Sequence, residues 1–196
     1  GAGGDPRYLD LIARMRSIAE REGAEIARRF PDLLRRVGGY NIDSISADGH
    51  NMARMLVGSE GTLAFFKRIE LAVHPIPRHN LLGICAFPSF FQAMDLTRHI
   101  VALDPAAVEL IDRTMINLAR DIDTYRPTVE RFVQGDPEAV LMVEFAGEDR
   151  AVQARRLDDL ETLMADHGFP GAVLKVTDQA FQRDILNVRK AGLNIM

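Results

Sequence analysis

At 196 residues, 47% of them hydrophobic, the chain has apolar material for one or two small domains. A formal net charge of −4 and a pI near 5.7 exclude the basic footprint of a polyanion binder, so no nucleic acid partner is expected. Cys85, the single cysteine, excludes an internal disulfide and a multi-cysteine metal site within the chain, and reads as a buried small hydrophobe.

No apolar run reaches the roughly 20 residues that span a bilayer, and no basic-then-apolar leader is present. The expected location is cytoplasmic with no transmembrane segment, peripheral attachment at a membrane being left open. The opening Gly1-Ala2-Gly3-Gly4, without an initial methionine, reads as an expression scar or as a cut into a longer protein.

From Pro6 to Phe30, Leu9, Ile12, Met15, Ile18, Ala19, Ile26 and Phe30 recur near helical spacing, which predicts a helix with a break at Gly23. Asp5 and Pro6 supply an N-cap and a first-turn proline. After Pro31, the stretch Arg35-Arg36-Val37-Gly38-Gly39-Tyr40-Asn41-Ile42-Asp43 is a polar, glycine-containing connector. A short helical pattern over Met52–Met55 then leads into Leu56-Val57-Gly58-Ser59-Glu60-Gly61-Thr62-Leu63-Ala64. Glycines there allow positive φ and a close backbone approach to a bound group, a geometry suited to phosphate. The same composition also serves a plain tight turn.

Thr62 to His74 reads as a long strand, buried on both faces or bulged, because Phe65, Phe66, Ile69, Leu71 and Val73 break strict alternation. Pro75 and Pro77 mark a boundary. Beyond it, strands are predicted at Asn80–Phe87, Val108–Ile111, Ala139–Phe145 and Ala172–Val176. Helices are predicted at Ser89–Leu103, Asp112–Ile122 and Glu148–His167, with a last one after Thr177-Asp178. Thr124–Asp136, with Pro127 and Gly135, reads as a loop, and Gly168 with Pro170 as a helix stop. This series predicts an α+β fold: a four-stranded antiparallel sheet with helices on one face, the ferredoxin-like arrangement.

The string VGSEGTLA, followed by FFKRIELAVHPIP, resembles the closing segment of the FAD-binding domain in FAD-linked oxidases of the vanillyl-alcohol oxidase type. That group includes glycolate oxidase, D-lactate dehydrogenase and D-2-hydroxyglutarate dehydrogenase. RRVGGYNID is similar to the element preceding the turn in the branch fused to an iron-sulfur domain, and the sheet just described is similar to the cap domain of the same flavoproteins. The resemblance implies that residues 1–77 end an FAD-binding domain with a helical lead-in, and that residues 78–196 form part of a ferredoxin-like cap or substrate domain. It implies a central piece of a longer protein, with most flavin contacts before residue 1 and room for an iron-sulfur cluster after Met196.

By resemblance, Gly58, Ser59, Glu60, Gly61, Thr62 and Phe66 contact FAD, while Arg189, Tyr40 and Asn41 serve the substrate. Arg189 lies in Ile185-Leu186-Asn187-Val188-Arg189-Lys190, similar to a Leu-Trp-x-x-Arg motif whose arginine faces a substrate carboxylate; here Leu186 stands where tryptophan is common. A planar guanidinium grips both carboxylate oxygens at once. An arginine near a helix C-terminus also favours the helix dipole without any ligand. No catalytic base is assigned, and the five histidines lack metal-site spacing.

The expected function is that of an FAD-dependent oxidoreductase acting on a D-2-hydroxy acid of the lactate, glycolate or 2-hydroxyglutarate type, with electrons passed to a further acceptor. The 196-residue piece alone is expected to be inactive and to lack FAD. The alternative is a free-standing ferredoxin-like binding or regulatory module. Self-association through the exposed edge of the Thr62–His74 strand is expected as well.

Overall fold

The computed structural model describes residues 4–33, 38–45 and 51–195 and divides into two compact units, Gly1–Val73 and His74–Met196. Of the RRVGGYNID element, Arg35, Arg36 and Val37 lie outside the described residues.

In the first unit, α1 spans Pro6–Arg29 without interruption. The Asp5 side chain accepts from the Arg7 amide at 2.9 Å, and Pro6 occupies the first turn, where its missing N–H costs nothing. The break expected at Gly23 does not occur. One glycine costs only about 1 kcal/mol in a helix interior, and ion pairs such as Arg14 with Asp10 and Arg28 with Glu25 brace the turns around it. No residue of α1 is fully buried. Among the described residues of this unit, a 3-10 turn, Ile42–Ser44, and the short helix α2, Met52–Leu56, follow α1.

The strand expected over Thr62–His74 is absent. This stretch has no ladder partner among the described residues, and an extended backbone without one is simply an open chain. Its side chains are exposed rather than buried on both faces: Phe65 is 95% exposed and Val73 87%. The strand edge proposed for self-association is therefore not formed, and what the segment offers instead is apolar surface.

The second unit contains β1 (His79–Phe87), α3 (Phe90–Val101), β2 (Ala107–Asp112), α4 (Arg113–Arg120), α5 (Arg126–Phe132), β3 (Ala139–Gly147), α6 (Arg150–Asp166), β4 (Val173–Val176) and α7 (Gln179–Ile195). The strands form one antiparallel sheet in the order β2-β3-β1-β4. That order, with α3 and α6 as the two crossovers, is the ferredoxin-like arrangement.

Alternation along the strands sorts the side chains into two apolar layers. Leu81, Cys85, Phe87, Leu141, Val143 and Phe145 meet α3 and α6, whereas Leu82, Ile84, Val140 and Met142 meet α4, α5 and α7. Helices thus cover both faces, which corrects the one-face expectation. β1 and β3 are central strands whose residues are apolar on both sides, and a sheet with two apolar faces has to bury both. Gly83 sits where a Cβ would come within 2.6 Å of a Leu160 methyl, so its lack of a side chain sets how closely α6 can approach.

Helix α5 occupies the stretch expected to be a loop. Pro127 falls in its first turn, where proline is tolerated, and Val129 and Phe132 are both buried on one face. The stop at the end of α6 is as expected: Gly168 has φ +90°, and the Phe169 amide reaches back to the Met164 carbonyl at 2.9 Å. Asp112, Asp149 and Asp178 accept from backbone amides at the starts of α4, α6 and α7. Cys85 is fully buried, and burial pushes its thiol up to about 12, as befits a small core hydrophobe.

Candidate functional site

Among the described residues, the candidate site residues fall in two places, one in each unit. In the first, α2 ends at Leu56 and the chain turns through Gly58, Ser59, Glu60 and Gly61. Three of these have positive φ: +78° at Gly58, +50° at Glu60 and +79° at Gly61. An ideal Cβ on either glycine would meet nothing within 4 Å, so the glycines are there for backbone conformation and leave open space beside the turn.

The turn is stitched from inside. The Ser59 amide donates to the Leu56 carbonyl at 3.2 Å, the Thr62 amide to the Ser59 carbonyl at 2.9 Å, and the Thr62 hydroxyl to the same carbonyl at 2.6 Å. With its own proton committed there, Thr62 Oγ1 accepts from the Tyr40 hydroxyl at 2.9 Å. Asn41 Nδ2 donates to the carbonyls of Val57 at 3.0 Å and Arg54 at 3.3 Å, which ties down the end of α2. Tyr40 and Asn41, expected at the substrate, thus have their polar ends engaged by the turn.

What the stitching leaves over bears on ligand binding. Ser59 is 2% exposed, and its hydroxyl has no hydrogen-bond partner among the described residues. The amides of Gly58, Glu60 and Gly61 likewise have none there. A buried hydroxyl without a partner costs about 1–3 kcal/mol, a cost that a ligand oxygen would relieve. Backbone donors around a glycine turn suit an anionic or carbonyl oxygen, so the residues present fit a phosphate- and carbonyl-bearing cofactor such as FAD. Phe66, the other residue expected at FAD, lies just beyond the turn and is 40% exposed.

In the second unit, Arg189 on α7 meets Glu109 on β2, its Nε paired with Glu109 Oε2. Both line a cavity of about 460 Å³ bounded by β2, α4, α5 and α7, with Ile111, Met115, Phe132 and Lys190 among the lining residues. The apolar wall comes from the second layer of the sheet. Arg189 therefore sits beside a cavity and faces a carboxylate, though one supplied by the chain itself. Sequence reading missed Glu109. The only available signal was a charged residue between Val108 and Leu110 in a strand, and its partner lies far along the chain.

His99 and His167 stack with ring centroids 4.4 Å apart. Among the described residues, no group of three or more His, Cys, Asp or Glu is placed to hold a metal ion, and no helix is long and apolar enough to cross a membrane.

Sequence comparison identifies the family to which this chain belongs. Residues 76–196 match the family of FAD linked oxidases, C-terminal domain, and the chain belongs to that family. It is similar to a D-2-hydroxyglutarate dehydrogenase of Pantoea ananatis, with 28% identity over 96% of this chain and 19% of that protein. A D-2-hydroxyglutarate dehydrogenase of Escherichia coli is 31% identical over 72% of this chain and 15% of its own length. A D-lactate dehydrogenase of Archaeoglobus fulgidus is 28% identical over 62% of this chain and 26% of its length. The chain thus spans about a fifth or less of the two hydroxyglutarate dehydrogenases it matches.

Proposed function

We propose that the chain is part of an FAD-dependent dehydrogenase of a D-2-hydroxy acid, with residues 1–77 ending its FAD-binding domain and residues 78–196 contributing its cap. The observation that carries this reading is the turn at Gly58–Thr62. In a chain of the FAD-linked oxidase family, it presents a buried Ser59 hydroxyl and three backbone amides that lack partners among the described residues. When bound, FAD supplies the redox chemistry, accepting the hydride equivalent of the carbinol C–H.

The chain's own residues bind and orient. Gly58, Ser59, Glu60, Gly61 and Thr62 line one wall of the cofactor site, with Phe66 beside them. Tyr40 and Asn41 act through the turn, holding its hydroxyl and carbonyl groups in place. Arg189 takes the substrate carboxylate on its terminal nitrogens, with Glu109 held at Nε. The relatives named as dehydrogenases favour this reading over a non-catalytic binding module. A separate electron acceptor, an iron-sulfur cluster elsewhere in the parent, a cytoplasmic location and self-association through the exposed 62–73 segment remain parts of the proposal.

The test is anaerobic mixing of the full-length, FAD-replete parent with D- and L-2-hydroxy acids. Bleaching of the flavin by a D acid, and not by its L isomer, is the expected result; an unchanged flavin spectrum across the panel overturns the reading. A companion expectation concerns the 196-residue chain purified alone. With one wall of the site, it offers too few contacts to offset the ligand's lost freedom and should be colourless. A yellow preparation with stoichiometric flavin contradicts this.

A further inference from the structure

A guanidinium has two edges able to grip a carboxylate: the side edge, Nε with one terminal nitrogen, and the end edge formed by the two terminal nitrogens. In this structure Glu109 makes its closest approach to Arg189 at Nε, on the side edge, and no other carboxylate among the described residues pairs with this arginine. The two residues are comparably half-buried, at 37% and 34% side-chain exposure, and line the same cavity.

The supports behind each are rigid. Glu109 stands on β2, in register with Met142 of β3, so the sheet ladder fixes its backbone. Arg189 follows Val188, which is buried in the apolar layer with Ile185 one turn earlier, so the face that α7 presents is fixed too. An arginine left to itself loses much rotamer freedom when it captures a ligand. One already held by its side edge loses less, and binds more tightly for that reason.

We infer that Glu109 is a positioning residue for Arg189: it holds the side edge of the guanidinium against β2 and leaves the end edge for the carboxylate of the bound acid. This inference rests on the reading of Arg189 as the carboxylate-binding residue. It also distinguishes Glu109 from a competitor that occupies the arginine in place of substrate, since a competitor's removal tightens substrate binding while a positioning residue's removal weakens it.

The experiment is steady-state kinetics on the full-length FAD holoenzyme, comparing wild type, Glu109→Gln, Glu109→Asp, Arg189→Ala and the Glu109→Gln/Arg189→Ala double variant. Flavin content and melting temperature are measured for each. Glu109→Gln should lower kcat/KM by roughly tenfold, mainly through a raised KM, at unchanged flavin content. Glu109→Asp, which keeps the charge, should recover part of that loss. In the Arg189→Ala background, Glu109→Gln should have no further effect, because its action runs through the arginine.

A Glu109→Gln enzyme with wild-type kcat/KM or a lowered KM overturns the inference. So does one whose loss is equal in both backgrounds, or one that sheds flavin or melts early, since those mark a general structural role. If Arg189→Ala alone retains wild-type kcat/KM, the underlying reading of Arg189 fails instead.

Discussion

The two units bury their apolar residues very differently. In His74–Met196 every strand is paired and both faces of the sheet are covered, so that Phe87, Phe145, Leu141 and Leu160 are essentially inaccessible to water. In Gly1–Val73, α1 has no fully buried residue, full burial among apolar side chains of the described residues is confined to Ile45 and Met55, and Phe65, Leu71 and Val73 stand open. Polar bonds hold the turn in the first unit, whereas two apolar layers hold the sheet in the second. The contrast also divides the chemistry, because backbone donors prevail where packing is thin, and the charged pair sits where a rigid sheet and a packed helix hold it.

The largest effect should come from the packed layer. Phe145→Ala removes a fully buried ring and should destabilise the His74–Met196 unit by about 3–5 kcal/mol, whereas Phe65→Ala should change stability by less than about 0.5 kcal/mol. Cys85 gives the readout. Its thiol is buried in β1 and held up to about 12, so alkylation in the native chain reports opening of the sheet. Comparable rates of Cys85 alkylation in the two variants would erase the contrast between the units.

Ser59→Ala sharpens the comparison from the thinly packed side, with opposite signs in two assays. Removing a buried hydroxyl that lacks a partner should leave the 196-residue chain as stable as before or more stable, by up to about 1 kcal/mol. In the full-length parent it should weaken flavin retention by roughly tenfold, the value of one hydrogen bond to a charged or strongly polar group. Dialysis of the parent against flavin-free buffer checks the second half. Unaltered retention would make the Ser59 hydroxyl irrelevant to the cofactor.

The smallest effect is expected at the surface of the sheet. Lys175 on β4 reaches Asp158 and Glu161 of α6, both at 2.6 Å, and these carboxylates raise its pKa above the usual lysine value. A raised folded-state value means that the contribution is whole at neutral pH, below the unfolded value, and is lost as pH climbs through the folded one. Because the ammonium is partly solvated, the contribution should stay below about 1 kcal/mol. Lys175→Met should therefore cost little at pH 7 and remove part of the stability decline at strongly alkaline pH, followed by circular dichroism. An unchanged alkaline limb would show that the pair is fully screened.

The fold was readable where local pattern and tertiary environment agree. β1 and β3 follow from continuous apolar runs, α6 from its apolar stripe and cap, and the Gly168 stop from a glycine that needs φ > 0. Pro127 misled because proline in a first turn permits a helix that proline elsewhere forbids, and only burial of Val129 and Phe132 shows which applies. Thr62–His74 misled in the opposite sense, since strand composition does not make a ladder without a second strand. At the site, the glycine turn was legible from its own residues. The Glu109–Arg189 pair was not, because it is made by the β2-β3-β1-β4 order and by α7 crossing the second face of the sheet.

The most direct test of the central claim is kcat/KM of the flavin-replete, full-length parent and its Arg189→Ala variant across several D-2-hydroxy acids. A charge-assisted hydrogen bond contributes about 1.5–3 kcal/mol, so the variant should lose on the order of tenfold to a hundredfold in kcat/KM at unchanged flavin content. Wild-type kcat/KM in that variant would contradict the account and leave Arg189 as no more than the partner of Glu109 on the outer layer of the sheet.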